Sequence, residues 1–304
     1  MIYVLLRNNT RLANWMSQFA AAKSARCGEV KFYTTDSQVQ HLYDSYRDEI
    51  FGGTELVNQL PGDISVYTER PFYEPIHPPV PGKDFELIGY FQDVRYYDTA
   101  LVHKLYFPSQ QRLKRLIEKF SDWLQRPAVT GISVRRTDYL KIPHILPFCG
   151  KQYYRDAIAR VPECHDFIVC SDDFPWCKEW FPSEFPDKNF LFMSGESVID
   201  QLYIHSLCQN NILSNSSFAW WSAFLNRHVG KRVIRPSLWN GFAVRKAPDE
   251  FFGFDLPGME VVKNHYTFSR YIHGWFVWFW RTFKRKMYPA KKWLWNLCFK
   301  RAKQ

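Results

Sequence analysis

Short apolar runs alternate with segments of helical character along most of this chain, and the alternation restarts after Pro127. Alternation of this kind indicates βαβ units built on parallel sheets. In the first half, strands are predicted at residues 2–6, 29–35 and 85–93, and helices at 12–25, 36–50 and 110–124. In the second half, strands are predicted at 128–134, 166–173, 189–193, 211–214 and 231–235, and helices at 151–161, 196–208 and 216–227. The sequence therefore predicts an α/β protein with two Rossmann-like domains, residues 1–126 and 127–262, and Pro236 ends the last predicted strand.

The excess basic charge is confined to the C-terminal tail, residues 263–304. The chain has a net charge of +10, and residues 270–304 contain ten Lys and Arg but no Asp or Glu. The rest of the chain is balanced, with 30 basic and 30 acidic side chains. A neutral globular part argues against a nucleic-acid partner, which would need a basic face.

The tail is aromatic as well as basic. In a helix, one face would contain Trp275, Phe276, Phe279, Trp280 and Phe283, and the opposite face Arg281, Lys284 and Arg285. This pattern is typical of an interfacial helix on an anionic membrane surface. The alternative is a helix that packs back onto the first domain.

Targeting signals and metal motifs are not recognisable in the sequence. The N-terminus has the pattern of a first strand rather than that of a signal peptide, and no stretch reaches the ~20 apolar residues of a membrane span. The seven cysteines have no paired spacing, which argues against a disulfide framework or a zinc site. We expect a cytoplasmic protein, peripheral on the inner face of the cytoplasmic membrane.

Two adjacent arginines follow the buried strand at 128–134. Arg135, Arg136 and Asp138 lie where the carboxyl end of a parallel strand would place a ligand. The guanidinium fork suits phosphate because it forms paired, charge-assisted hydrogen bonds. The pair therefore suggests a pyrophosphate site, and the alternative is an ion-paired surface arginine pair without a ligand.

Other strand ends and helix starts also carry polar groups. Asp172 and Asp173 could bind a divalent metal, although two arginines already supply positive charge. Ser216 and Ser217 precede or begin a helix, where an anion is favoured, but either could simply be an N-cap. In the first half, Asn14 and Gln18 share a helix face, and the turn before them lacks the glycines of a nucleotide-binding loop.

Taken together, these residues form a recognisable pattern. The segment GISVRRTDYL resembles the HxRRxD motif of the α-1,2-fucosyltransferases, glycosyltransferase family 11. The segment ANWMSQFA resembles the family's GNQ…QYA segment, and residues 87–93 resemble its LxGYFQ segment. Residues 167–173 resemble its FSDD strand, and SNSSFAWWSAFL resembles its SNSTFSWWAAWL segment. The resemblance covers residues 1–240 and keeps the family's order of motifs.

The resemblance implies a GT-B architecture, with two Rossmann-like domains facing a cleft and GDP-fucose held by the second. It implies inverting transfer of fucose from GDP-β-L-fucose to a galactoside in α-1,2 linkage, in surface polysaccharide synthesis. A lipid-linked glycan as the acceptor would also explain the basic, aromatic tail. No cofactor or metal is expected. The alternatives are a fucosyltransferase of another linkage, or a non-catalytic, membrane-peripheral protein that binds a nucleotide sugar.

The resemblance also assigns roles to residues. Arg135 would hold the β-phosphate with support from Arg136, and Asp138 would fix the arginines. Asp200, which its spacing alone marks as a surface acid, would contact guanine. The remaining donor-site residues are Ser133, Asp172, Ser216, Ser217 and Phe218, and Asn14 and Gln18 would face the cleft. Ser133 replaces the motif histidine and Ala13 the first-motif glycine. The general base is not identified, although an acid or histidine within residues 1–126 is possible.

Overall fold

The computed structural model describes residues 1–8, 10–70, 73–241, 255–264, 272, 274–276 and 278–280. The first half contains β1 (Ile2–Leu5), α1 (Leu12–Ala25), β2 (Val30–Tyr33), α2 (Ser37–Asp44), α3 (Arg47–Phe51), β3 (Leu56–Val57), β4 (Ser65–Thr68), β5 (Phe85–Ile88), α4 (Thr99–Leu105), α5 (Gln110–Lys119) and α6 (Ser121–Leu124). Its five strands form one sheet in the order β3-β2-β1-β5-β4, and every recorded pairing is parallel.

The second half repeats the pattern with six strands. It contains β6 (Thr130–Val134), α7 (Lys151–Ile158), β7 (Asp166–Ser171), α8 (Phe174–Glu184), β8 (Asn189–Phe192), α9 (Val198–Leu207), β9 (Asn210–Ile212), α10 (Ser217–Leu225), β10 (Val233–Pro236) and β11 (Met259–Val262). The strand order is β11-β10-β9-β6-β7-β8, with parallel pairings throughout the described strands. Counted from β6, this is the doubly wound 3-2-1-4-5-6 order of a Rossmann fold.

Two parallel, helix-flanked sheets confirm the predicted α/β fold of GT-B type. The first sheet ends at Ile88 and the second begins at Thr130, on either side of Pro127. The exact limits at residues 126 and 262 stay predictions. Most of the tail, including Lys284–Gln304, lies outside the described residues.

Several element predictions were wrong in detail. The helix predicted at 36–50 is divided into α2 and α3, which are separated at Ser45 and Tyr46. The strand predicted at 85–93 ends at Ile88 because Phe91 adopts a left-handed φ of 50°, which is incompatible with an extended strand. Strands β3 and β4 and helices α4 and α8 were not predicted. The strand at 231–235 is not the last one, because β11 pairs with β10 beyond it.

Apolar packing joins the two halves. Trp221 of α10 is fully buried and donates from Nε1 to the carbonyl oxygen of Ala13 at 3.0 Å. Its ring stacks on Tyr97 at 5.4 Å between centroids and meets Tyr106 edge-on at 5.1 Å. These rings belong to a single buried cluster that contains residues of both halves. The packing fixes the start of α10 beside the start of α1, where the polar groups described next converge.

Candidate functional site

The doubly wound sheet reverses its strand order between β6 and β9. In open α/β sheets, ligands bind outside the carboxyl ends of the strands at such a switch point. Arg135 follows β6 directly, and the Ser214–Ser217 segment follows β9 and leads into α10. The predicted arginine and serine motifs therefore meet at the position in the fold where a nucleotide is most commonly bound.

Arg135 is held between two carboxylates. Its Nη2 donates to Asp138 Oδ2 at 2.6 Å, and its Nη1 lies 3.3 Å from Asp172 Oδ2. Burial alone would lower the pKa of Arg135, but the charges of Asp172 and Asp138 raise it, so the guanidinium stays protonated. The side chain is 23% exposed, so it remains accessible while its orientation is fixed.

Arg136 is the more enclosed member of the pair. Its Nε donates to Asp173 Oδ2 at 3.0 Å, and its guanidinium lies 4.0 Å from the centre of the Trp176 ring. Stacking on an aromatic face is a favourable position for a guanidinium. Arg136 thus holds the arginine loop in place, and its support of Arg135 at the β-phosphate stays a prediction. The ion pairs of the alternative interpretation are present, but both arginines are largely buried at the switch point rather than spread on the surface.

Asp172 connects the ends of β6 and β7. Its Oδ1 accepts the N–H of Arg136 at 2.8 Å, and its Oδ2 accepts the N–H of Thr137 at 3.3 Å and the Thr137 hydroxyl. Both oxygens are therefore used to shape the arginine loop. Asp138 differs, because its Oδ1 is buried and meets no hydrogen-bond partner among the described residues. That oxygen can accept a hydrogen bond from a ligand hydroxyl or N–H.

Ser133 lies inside the sheet beneath the arginines. It is 4% exposed, and its hydroxyl lies 3.1 Å from that of Ser214, so β6 and β9 are bridged by two serines. The hydroxyl of Ser133 is thus engaged between the two strands. A direct contact between Ser133 and guanine stays a prediction.

Helix α10 begins at Ser217, and its N-cap residue Ser216 makes no side-chain hydrogen bond to the helix. Ser216 therefore occupies the N-cap position that was considered for it, although its hydroxyl does not cap the helix, and Ser217 is the first helical residue. The first backbone N–H groups of a helix favour an anion. Ser216, Ser217 and Phe218 are all partly exposed at this point. Their contact with the phosphates stays a prediction.

Asn14 links the two halves. Its Oδ1 accepts from Ser217 Oγ at 3.2 Å and from Gln92 Nε2 at 2.6 Å. It therefore lies where α1 faces α10, and its position facing a substrate cleft stays a prediction. Gln18 does not reach this surface: it is 4% exposed, and its Nε2 donates to the carbonyl oxygen of Gly89 at 2.8 Å. The expectation of a cleft-facing Gln18 is thus wrong, because its buried amide holds the end of β5.

Asp200 is not a surface acid, contrary to what its spacing suggests. It is 5% exposed and is bound by Arg112 and, at 2.6 Å, by Arg115 Nη2, both from α5 in the first half. Burial alone would raise its pKa, but the hydrogen bonds from Arg115 and Ser197 and the charges of both arginines lower it. The carboxylate fastens the two halves together. Its contact with guanine stays a prediction.

Some residues of the site were not predicted. Tyr139 donates to the carbonyl oxygen of Asn215 at 3.0 Å, and Asn215 Nδ2 donates to that of Trp239 at 3.1 Å. These contacts fix the turn between β9 and α10. Tyr139 lies in the RRTDYL segment and Asn215 in the SNSS segment. Their position next to predicted site residues was the one signal in the sequence that could have identified them. Among the described residues, no group of His, Cys, Asp and Glu side chains forms a metal site.

The tail helix exposes its aromatic side chains. The described residues 272, 274–276 and 278–280 are helical. Trp275 is 48% exposed, Phe276 55% and Trp280 44%. The interfacial helix and the helix packed onto the first domain both stay predictions. No helix in the described part of the chain has the length and the apolar content needed to span a bilayer.

Comparison with known proteins gives a consistent result. The model of Glycosyl transferase family 11 matches residues 79–249. The O-antigen biosynthesis glycosyltransferase WbnK of Escherichia coli is 30% identical over 170 residues, 50% of this chain and 54% of that protein. An alpha-1,2-colitosyltransferase of Escherichia coli is 29% identical over 163 residues, 51% of this chain and 56% of that protein. The chain thus spans about half the length of the curated relatives it matches.

Solved structures of similar shape were also found. POFUT1 in complex with GDP-fucose has a TM-score of 0.48 and 9% identity, covering 75% of this chain and 95% of that one. The fucosyltransferase NodZ from Bradyrhizobium has a TM-score of 0.45 and 13% identity, covering 73% and 93% respectively.

Proposed function

Because this chain belongs to glycosyltransferase family 11, we propose that it transfers L-fucose from GDP-fucose to a galactoside hydroxyl in α-1,2 linkage. The product would be part of a surface polysaccharide, since one relative is an O-antigen biosynthesis enzyme. Colitose is a second candidate for the transferred sugar, because one relative is a colitosyltransferase. The observation that carries the proposal is the position of Arg135, fixed at the switch point opposite the uncapped start of α10.

The described residues suggest how each part of the donor is bound. The diphosphate lies between the guanidinium of Arg135 and the first N–H groups of α10. The guanidinium carries a full positive charge, and the start of the helix carries a partial positive charge. Both groups are in place before the donor binds. Arg136, Asp138 and Asp172 hold the arginine loop rigid through the contacts given above. This preorganisation stabilises the negative charge that develops when the diphosphate leaves.

The reaction is a single displacement with inversion. The acceptor hydroxyl gives its proton to a general base and forms a bond to C1 of fucose, the bond from C1 to the β-phosphate oxygen breaks, and GDP leaves with the electron pair. Electrostatic stabilisation of a leaving group by one such side chain typically contributes ~10²- to 10³-fold to turnover. Arg135 supplies it without a metal ion in this proposal.

The tail supports a location at a membrane. Trp275 and Phe276 are half exposed on the tail helix, and the adjoining sequence is strongly basic. Aromatic side chains partition to the headgroup layer, and lysine and arginine are attracted to anionic lipid. The enzyme is accordingly proposed to act on the inner face of the cytoplasmic membrane, where a lipid-linked glycan would be its acceptor.

A donor and acceptor panel tests the proposal. The protein is incubated in EDTA with GDP-fucose, GDP-mannose or a colitosyl donor, and with galactosides or non-galactoside sugars. GDP release and the linkage of the product are then measured. We expect an α-1,2-fucosylated galactoside in the presence of EDTA. Transfer only from another donor, or only when a divalent metal is added, would overturn the corresponding part of the proposal.

A further inference from the structure

A polar cavity lies at the edge of the first sheet. It has a volume of about 580 Å³ and is bounded by the carboxyl end of β4 and by the proline-rich segment 74–79. Small-molecule sites are typically ~300–1,000 Å³. Tyr67, Glu69 and His77 contribute polar groups to its wall, and prolines contribute apolar surface. A mixture of aromatic, carboxylate and apolar groups suits a sugar, which has both hydroxyls and an apolar ring face.

Glu69 is the carboxylate at the strand end in this cavity. It follows β4 directly, and its backbone N–H donates to the carbonyl oxygen of Ile88 at 2.8 Å. Its Oε2 accepts the N–H of Tyr90 at 2.7 Å. A Cβ on Gly89 would lie 2.4 Å from Glu69 Cβ and 2.7 Å from Oε2. Only glycine at position 89 therefore lets this carboxylate occupy its position.

The turn that Glu69 holds is also the turn that reaches the donor half. Phe91 is fully buried with a φ of 50°, and its carbonyl oxygen accepts from Tyr97 Oη at 2.6 Å. The next residue, Gln92, donates to Asn14, which in turn contacts Ser217 at the start of α10. Strained backbone that is fixed from several sides is common at functional sites. The contacts run without interruption from the Glu69 carboxylate to the anion site of α10.

The electrostatic environment makes Glu69 a stronger base than an exposed glutamate. Burial raises its pKa, the N–H groups of Phe91 and Tyr90 oppose that effect, and the charge of Asp93 adds to it. Asp93 is itself bound to Arg95, and the other ionisable groups of the cavity are Arg70, Glu74 and His77. A carboxylate whose pKa is closer to neutrality accepts a proton more readily from a hydroxyl.

We infer that this cavity binds the terminal sugar of the acceptor glycan and that Glu69 is the general base of the transfer. The inference rests on the proposed transferase function. The acceptor hydroxyl gives its proton to the Glu69 carboxylate while its oxygen bonds to C1 of the donor sugar. The bond from C1 to the β-phosphate oxygen breaks, and GDP leaves with the electron pair, so that atoms and charge balance.

The test compares three single variants with the wild-type protein. Glu69→Gln keeps the size of the side chain and an oxygen that can accept the N–H of Tyr90, but it cannot take a proton. Glu86→Gln is the matched control: Glu86 is a partly buried carboxylate of β5 whose pKa burial also raises, but it lies within the strand and not in the cavity. Val66→Trp fills the cavity from its exposed edge without touching the carboxylate.

Each variant is assayed for transfer across pH and for GDP binding. Glu69→Gln is expected to lose transfer at least ~10²-fold and to lose the acid limb of the pH profile of kcat. Its GDP affinity stays at the wild-type level, and Glu86→Gln behaves as wild type throughout. Val66→Trp raises the KM for the acceptor and leaves GDP affinity unchanged.

The outcomes separate the two levels of inference. Wild-type protein that never consumes GDP-fucose would count against the proposed function. Active wild-type protein with a Glu69→Gln variant of equal turnover and an unchanged acid limb would overturn the role of Glu69 alone. An unchanged acceptor KM in Val66→Trp would overturn the cavity as the acceptor site.

Discussion

Arg115 Nη2 on α5 lies 2.6 Å from Asp200 Oδ1 on α9, so a helix of the first half is fastened to a helix of the second by a buried carboxylate. Arg112 binds the same oxygen and also Glu49. A charge that is buried between two partners is costly to lose from one side, because the remaining groups are left without compensation. The polar contact between α5 and α9 therefore depends on a single acid, in addition to the apolar packing that joins the two halves.

We expect Asp200→Asn to lower the free energy of unfolding by roughly 3 kcal/mol at neutral pH, because two arginines lose their counter-charge. The folded-state pKa of Asp200 is lowered, so its contribution is present above the unfolded value of ~3.9 and is lost as the pH falls through the folded value. Chemical denaturation at neutral and acidic pH measures both effects.

The control for this variant is Asp122→Asn on α6, which replaces an exposed acid. GDP affinity is measured in parallel, since a contact between Asp200 and guanine predicts weaker GDP binding as well as lower stability. Equal stability of Asp200→Asn and Asp122→Asn would show that the junction does not depend on Asp200.

His205 predicts a loss of stability in mild acid. It is fully buried against Gly131, and burial lowers the pKa of its imidazole to about 4. The unfolded value is ~6.5, so the neutral ring is favoured on folding. Stability is therefore complete above pH ~6.5 and falls as the pH drops toward the folded value. The loss amounts to about 2 kcal/mol at pH 5.

Unfolding of the wild type and of His205→Gln at pH 7 and pH 5 measures this effect. The variant lacks the titrating group, and the stability difference between the two proteins should shrink by about 2 kcal/mol at the lower pH. A difference that is the same at both pH values contradicts the assignment.

Replacing the two half-exposed aromatics of the tail helix should weaken membrane binding. The double variant Trp275→Ala, Phe276→Ala removes apolar surface that would enter the headgroup layer. We expect a lower bound fraction on vesicles containing anionic lipid. Phe107→Ala is the matched control, since Phe107 is 45% exposed but lies far from the tail in sequence. Flotation of both proteins in equal amounts decides the question, and equal bound fractions would exclude the tail helix as the contact.

The sequence predicts this fold well where local pattern decides it. Helix α1 has the predicted limits, Leu12–Ala25, and the arginine pair follows a buried strand as expected. Strand order is a tertiary property, so the switch point between β6 and β9 is visible only in the structure. Strand β11 has four residues and is recognised only by its pairing with β10. A strand this short has too few residues to show the two-residue alternation of apolar and polar side chains that identifies a strand in a sequence.

The sequence predicted which residue types form the site, but it did not predict which of those side chains are buried. The predicted arginines are at the strand end, while Gln18 is buried against the ends of β1 and β5 and Asp200 is buried against α5. Spacing along one helix carries no information about such coverage. Glu69 lies in a proline-rich loop region of the sequence, and its importance depends on Gly89 and Tyr90, about twenty residues away. That contact cannot be inferred from the local sequence.

The central claim is that Arg135 stabilises the departing diphosphate, and the turnover of Arg135→Lys tests it most directly. Lysine keeps the charge but loses the fork that is held between Asp138 and Asp172. Arg160→Lys, an exposed arginine on the same half, is the control. We predict a folded Arg135→Lys protein with the melting temperature of the wild type and a turnover lowered at least ~10²- to 10³-fold, and a control with wild-type turnover. A folded Arg135→Lys protein that transfers fucose at the wild-type rate would contradict the account.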